Sequence, residues 1–72
     1  MNKKNKIKIV VNGKLLTVNT KFSLKNLIEK LKTPINKVAI ELNGEIIDKK
    51  KLSKIYLKKN DTIEIVHFIG GG

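Results

Sequence analysis

Apolar and polar residues alternate in several short segments of the chain, with the period of two expected of strands that bury one face. The first such segment covers residues 7–11, and Asn12-Gly13 follows it directly. This residue pair is typical of a type I′ hairpin turn, because both central positions need a positive φ. Residues 15–18 provide the returning strand. The chain therefore begins with a predicted β-hairpin.

The same pattern occurs again in the second half of the chain. Residues 38–42 alternate, Asn43-Gly44 supplies another type I′ turn, and residues 45–47 are predicted to pair back as a short strand. A final β-branched, apolar strand begins at Thr62. These segments bring the predicted number of strands to four or five.

Between the two hairpins the apolar period changes to that of a helix. Ser23 is the predicted N-cap, where its hydroxyl group can accept a backbone hydrogen bond, and Phe22 and Leu27 have the spacing of a hydrophobic staple. Pro34 disfavours helical geometry in the residue before it, so the helix is expected to end near Lys32. One face carries a stripe of four apolar residues, Leu24, Leu27, Ile28 and Leu31.

The remaining segments are predicted to be connections. Residues 48–51 form a charged loop, residues 52–57 have the spacing of a 3₁₀ or irregular segment, and residues 58–61 have turn chemistry. The resulting order is ββαββ(loop)β, which predicts an α+β fold with one sheet packed on one main helix. We expect a single domain over residues 1–72, with a basic arm at 1–5 and a flexible glycine tail at 70–72.

Composition excludes several classes of chemistry. The 72 residues include no cysteine and one histidine, so disulfides, a thiol nucleophile and thiolate metal sites are excluded. The six scattered carboxylates do not form a recognisable metal-binding cluster, and we expect no metal site. No pair of nucleophile and base and no phosphate-binding loop is apparent. We therefore expect no catalytic residues and no independent enzyme.

The formal net charge of +10 favours anionic partners, including nucleic acid. All sixteen basic residues are lysine, however, and bidentate recognition of guanine or phosphate is mainly arginine chemistry. The three aromatic residues are spread along the chain and form no stacking platform. A solvated lysine surface is the favoured interpretation, and a basic RNA-binding module remains the alternative.

No segment approaches the ~20 apolar residues of a membrane span. The apolar run after the basic residues 1–6 is too short for the h-region of a signal peptide. We expect no membrane association, and the cytoplasm is the expected location.

The last ten residues are the candidate functional segment. An apolar strand leads directly into Gly70, Gly71 and Gly72, and a backbone without Cβ atoms can pass through a narrow channel. Ile69 lies beyond the expected end of strand pairing and is predicted to face a partner, although Phe68 and Ile69 could instead close the core. His67 has no catalytic group beside it in the sequence, so we interpret it as a surface residue of the strand.

The order of elements and the terminal glycines resemble those of the ubiquitin-like, or β-grasp, fold. Within the ThiS/MoaD superfamily, the chain resembles the ThiS family of sulfur carriers in thiamine biosynthesis. The resemblance covers nearly the whole sequence. Two departures are visible: Asn60 stands where glycine is common, and the 49–51 loop is unusually rich in lysine. The segments that carry the resemblance are the Asn12-Gly13 hairpin, Ser23-Leu24-x-x-Leu27-Ile28, residues 39–44, and residues 60–72 with the terminal Gly71-Gly72.

The resemblance implies a function for the tail. A ThiF-like adenylating enzyme would use ATP to adenylate the Gly72 carboxylate, and a persulfide sulfur donor would convert it to a thiocarboxylate. A ThiG-like thiazole synthase would then receive the sulfur. Gly70 and Gly71 would thread into the partner enzyme, and His67, Phe68 and Ile69 would contact it.

The resemblance also implies a mixed sheet, no bound cofactor, and a monomer when the protein is free. A plastid stroma would replace the cytoplasm if a plastid makes the protein. Two related functions use the same tail chemistry and remain open at this point. One is a molybdopterin-type sulfur carrier, and the other is a ubiquitin-like modifier that forms isopeptide bonds.

Overall fold

The structure, a computed structural model, describes residues 5–68. Residues 1–4 of the predicted arm, Ile69 and the predicted tail at 70–72 lie outside this range. No helix within it is long and apolar enough to cross a membrane. The elements are β1 (Lys6–Val11), β2 (Lys14–Asn19), α1 (Leu24–Lys30), a 3₁₀ turn (Ile35–Lys37), β3 (Val38–Leu42), β4 (Glu45–Ile46), a second 3₁₀ turn (Lys49–Lys54) and β5 (Thr62–His67).

The five strands of the described range form one mixed sheet in the order β2-β1-β5-β3-β4. β1 pairs with β2 in antiparallel fashion and with β5 in parallel fashion, while β3 pairs in antiparallel fashion with both β4 and β5. The last strand therefore lies at the centre of the sheet. The predicted α+β architecture of a mixed sheet on one main helix is confirmed.

Both predicted hairpin turns have the expected backbone geometry. Asn12 and Gly13 have φ values of 50° and 83°, and Asn43 and Gly44 have values of 51° and 89°. All four residues lie in the left-handed region that a type I′ turn requires at its two central positions. Each Asn-Gly pair therefore determined the position and the type of its turn.

The helix begins as the sequence indicates, with an additional contact. The Ser23 hydroxyl oxygen accepts a hydrogen bond from the Asn26 backbone N–H at 3.0 Å, and the Asn26 side-chain oxygen accepts one from the Ser23 N–H at 3.1 Å. This reciprocal arrangement is a capping box with asparagine in the position usually held by Glu or Gln. Leu24, Leu27 and Ile28 are buried against the sheet.

The helix ends at Lys30, two residues earlier than expected. The Thr33 N–H donates to the Ile28 carbonyl and the Lys32 N–H donates to the Glu29 carbonyl, which is the hydrogen-bond pattern of a Schellman motif. Lys32 has a φ of 55°, so it cannot continue the helix. Leu31, which the helical spacing assigns to the apolar stripe, is instead the C-cap residue and is 38% exposed.

This geometry predicts that Lys32→Gly stabilises the domain. A side chain in the left-handed region costs about 1–2 kcal/mol, whereas glycine adopts this conformation freely. Part of the gain is lost because glycine makes the unfolded chain more flexible. We expect the free energy of unfolding to rise by about 0.5–1 kcal/mol in urea denaturation. The control is Lys30→Gly, in ordinary helical geometry, which should lower stability; equal effects of the two changes would contradict the argument.

The core lies between α1 and the inner face of the sheet. Alternate residues of the central strands face the helix, as the period of two requires. The second 3₁₀ turn, which begins within the predicted lysine loop, adds buried Leu52 to the same core. The fully buried side chains are Ile9, Leu24, Leu27, Val38, Ile40 and Ile63.

Candidate functional site

The candidate site is the C-terminal end of β5, where the chain leaves the sheet. Pairing with β3 continues along the strand as far as Val38 opposite His67. The Phe68 N–H then donates to the Lys37 carbonyl at 2.9 Å, which extends the pairing by one residue. The position of the last described residue is therefore determined by the sheet. The predicted partner-facing residue Ile69 and the predicted tail of Gly70, Gly71 and Gly72 follow outside the described range.

A hydrogen-bonded network holds the beginning of β5. The carboxylate of Asp61, which is only 9% exposed, accepts one hydrogen bond from the Asn43 side-chain amide at 3.0 Å and another from the Lys58 backbone N–H at 2.7 Å. The Asn43 side-chain oxygen accepts a hydrogen bond from the Thr62 N–H at 2.9 Å. The sequence predicts Asp61 and Asn43 only as turn residues. Their contact joins residues far apart in the chain, and no local pattern indicates it.

Asn12 also has a second function beyond its turn. β1 pairs with β5 only at Thr62 and Ile63, and beyond that point the Asn12 side-chain oxygen accepts a hydrogen bond from the Ile65 N–H at 2.7 Å. The Asn12 side chain thus takes the place of a further β1 residue that would otherwise pair with β5. β5 is consequently held on both edges for most of the distance to the tail.

Phe68 lies on the surface at the base of the tail. Its side chain is 56% exposed, so the interpretation that it closes the core is wrong. The Lys49 ammonium nitrogen lies 5.3 Å from the centre of the ring, within the range of a cation–π interaction. An exposed aromatic side chain is well suited to partner contact, and that role stays a prediction.

His67 is exposed, as the surface interpretation requires. Within residues 5–68 its imidazole takes part in no ion pair, since the only salt bridge there joins Lys25 and Glu29. The same range contains no group of three or more His, Asp or Glu side chains that could hold a metal ion. A contact between His67 and a partner stays a prediction.

The outer face of the sheet beside the tail is apolar and acidic. Val66 is exposed there and lies opposite Ala39 in the register. Two residues before Val66, on the same face of the sheet, Glu64 lies opposite Glu41. Directly opposed like charges are destabilising within a sheet, so the two carboxylates disfavour the pairing at this position.

The chain matches known proteins over most of its length. The model of the ThiS family matches residues 9–72. The thiazole synthase of Paramagnetospirillum magneticum is 35% identical over 66 residues, which cover 92% of this chain and 20% of that protein. The sulfur carrier protein ThiS of Bacillus subtilis is 51% identical over 35 residues, which cover 49% of this chain and 53% of that protein.

A solved structure shows the same fold. The crystal structure of the thiamine biosynthesis protein (ThiS) from Geobacter metallireducens superimposes with a TM-score of 0.81 at 32% sequence identity. The match covers 92% of this chain and 100% of that one. By contrast, the chain spans only a fifth (20%) of the length of the thiazole synthases that it resembles.

Proposed function

The chain belongs to the ThiS family, and we propose that it carries sulfur for thiazole formation in thiamine biosynthesis on the Gly72 carboxylate. The observation that carries this proposal is that the family match runs through residue 72 and so includes the terminal glycines. The central strand β5 leads directly to that segment. The name of the similar Bacillus subtilis protein, sulfur carrier protein ThiS, supports the same function.

The proposed cycle begins with activation of the carboxylate. A carboxylate oxygen of Gly72 attacks the α-phosphorus of ATP in the partner enzyme, pyrophosphate leaves, and an acyl-adenylate forms. The terminal sulfur of a persulfide attacks the acyl carbon and AMP leaves. A thiol then cleaves the resulting acyl disulfide, which leaves a thiocarboxylate on Gly72. The protein is consumed and regenerated as a substrate, and the catalytic groups belong to its partners.

In this cycle the chain itself positions the base of the tail and lets the tail enter the partner enzyme. β5 is paired on both sides, so the sheet fixes the point from which the tail extends. Gly70 and Gly71 present no side chain that would hinder entry into a narrow active site. Phe68, exposed at the base of the tail, and the neighbouring His67 and Ile69 would contact the partner outside that entrance.

We propose three partners of distinct chemistry: a ThiF-like adenylating enzyme that binds ATP, a persulfide donor, and a thiazole synthase. The last is supported by two proteins named thiazole synthase that contain a segment similar to this chain within their own polypeptide. Between encounters the protein would be a monomer. The cycle fits the cytoplasm, or the stroma of a plastid, where ATP is available.

The direct test is the intact mass of the protein after co-expression with its adenylating enzyme and sulfur donor. We expect a mass increase equal to the exchange of one oxygen for sulfur, located in the peptide that ends at Gly72. Protein expressed without the adenylating enzyme is the control and should keep the mass of the carboxylate. An unchanged mass, under conditions that convert an established carrier, would overturn the proposal. Transfer of the sulfur into thiazole would then distinguish thiamine biosynthesis from molybdopterin synthesis or protein modification.

Phe68→Asp is predicted to weaken binding to the adenylating enzyme without unfolding the domain. The ring is exposed in the free protein, so its loss leaves the core intact, whereas a buried aromatic contact in a complex contributes more than ~1 kcal/mol. We expect the Kd from titration calorimetry to rise about tenfold.

Tyr56→Asp is a matched control for this change. Tyr56 is also 56% exposed, but it lies beside the start of the helix, where it forms a β-bridge with Ser23. Its replacement should leave the affinity unchanged. Equal Kd values for the two variants would exclude an interface at the base of the tail.

A further inference from the structure

A groove of about 410 Å³ lies between α1 and the second 3₁₀ turn, on the side of the sheet that carries the helix. Three apolar side chains contribute to its lining: Ile28, Leu52 and the half-buried Ile35. Its volume lies within the range of protein sites that accept an apolar group. The groove can therefore receive an aliphatic or aromatic side chain from outside.

The charged groups around the groove are mostly positive. Among the described residues that line it, Glu29 is the one carboxylate, and its charge is partly compensated by Lys25 at 3.9 Å. The other lysines that line it are Lys32, Lys49 and Lys50. An occupant that combines an apolar side chain with carboxylates would satisfy both the lining and the surrounding charge.

The Lys49 side chain connects the groove with the base of the tail. This residue lines the groove, and its ammonium group lies 5.3 Å from the centre of the Phe68 ring. A protein that binds the tail therefore also lies next to the groove. This continuity indicates that one partner can occupy both surfaces.

A peptide segment fits the groove better than a compact anion does. Along α1 the groove is lined by Lys25, Ile28 and Glu29, and after the helix by Lys32 and Thr33. The apolar side chains of the lining offer a phosphate group no hydrogen-bond donors, whereas they can contact an apolar side chain of a peptide. The exposed lysine side chains do not form a rigid set of donors for such a group. Carboxylates spread along a peptide can instead approach each lysine separately.

We propose that this groove binds an acidic, amphipathic segment of the adenylating partner, with an apolar side chain between α1 and the 3₁₀ turn and carboxylates near the lysines. This inference rests on the proposed function, because the adenylating enzyme is the partner that must hold the tail. It assigns a role to the unusually basic 49–51 region, namely a second point of attachment on the helix side of the domain.

The test compares two double variants with the same change in net charge. Lys32→Glu/Lys50→Glu reverses two charges at the groove, and Lys8→Glu/Lys59→Glu reverses two exposed charges elsewhere on the domain. The Kd of each for the adenylating enzyme is measured at low and at physiological ionic strength. We expect the groove variant to bind about tenfold more weakly than the control at low ionic strength, with a smaller difference at higher ionic strength because salt screens exposed charges.

Thermal melting by circular dichroism establishes that each variant is folded. If the charge-reversed groove variant does not fold, Lys32→Gln/Lys50→Gln replaces it, with an expected loss of about threefold. Equal affinities of groove and control variants, in a system where the wild-type protein gains sulfur, would overturn this inference and leave the proposed function intact. If the wild-type protein gains no sulfur there, the proposed function fails and the inference fails with it.

Discussion

A protein with one alanine added after Gly72 is expected to lose thiocarboxylate formation by at least about a hundredfold. The reacting oxygen must lie in line with the α-phosphorus of ATP, and a misplacement of about 1 Å can already cost a hundredfold in rate. The added residue moves the carboxylate by one residue length, about 3.3–3.6 Å, while β5 keeps the base of the tail fixed. The measurement is the converted fraction by intact mass after a fixed reaction time.

Two controls separate the possible causes of such a loss. An added glycine tests displacement without a side chain and should reduce conversion nearly as much as alanine. An added alanine before Met1 changes the length at the other end and should have no effect. Undiminished conversion of the protein with alanine after Gly72 would show that the reaction does not use the C-terminal carboxylate.

The second large effect is expected for Asp61→Ala, which should lower the free energy of unfolding by about 2–3 kcal/mol. The change removes the acceptors for the Lys58 backbone N–H and the Asn43 amide, and hydrogen bonds to a charged group contribute about 1.5–3 kcal/mol each. The carboxylate is also largely buried, so water replaces it poorly. Against a total stability of about 5–15 kcal/mol, such a loss is large.

Urea denaturation checks this value, and Asp48→Ala is the control. Asp48 also accepts a backbone hydrogen bond, from Lys50 at 2.9 Å, but it is exposed at the start of a 3₁₀ turn. Removal of the Asp48 carboxylate should lower the free energy of unfolding by about 1 kcal/mol or less. If both replacements lower the free energy of unfolding equally, the network between the second hairpin and β5 contributes no more stability than an ordinary turn does.

The elements that could be predicted are those determined by neighbouring residues. Asn12-Gly13 and Asn43-Gly44 each readily adopt the two consecutive positive φ values that a type I′ turn requires, so their turns follow from the local sequence alone. Ser23 likewise predicts the helix start, since the capping hydrogen bond spans three residues. The order of elements and the family resemblance followed from these local signals taken together.

The elements that could not be predicted depend on contacts between distant residues or on backbone strain. The hydrogen bond from Ile65 to Asn12 and the bond from Asn43 to Asp61 exist only once the sheet has formed. The helix ends early because Lys32 adopts a left-handed conformation, for which lysine gives no sequence signal.

For the candidate site, the terminal glycines identified the segment, but the sequence left open whether Phe68 is buried. The structure shows it exposed beside Lys49. The groove between α1 and the 3₁₀ turn was also missed, because its lining comes from segments that are separate in the sequence. Sequence patterns thus located the candidate segment, and three-dimensional contacts were needed to define the surfaces that precede it.

The central position of β5 has a consequence for folding kinetics. Its parallel partner β1 comes from the opposite end of the chain, so Val10 meets Thr62 only when a loop of most of the polypeptide closes. Contacts of such high sequence separation slow folding, because the entropy of loop closure is lost before they form. The β1–β2 and β3–β4 hairpins can assemble earlier, but β5 is held on both of its edges only when this last pairing is made. A chain trapped before that step holds the base of the tail through the β3 edge alone.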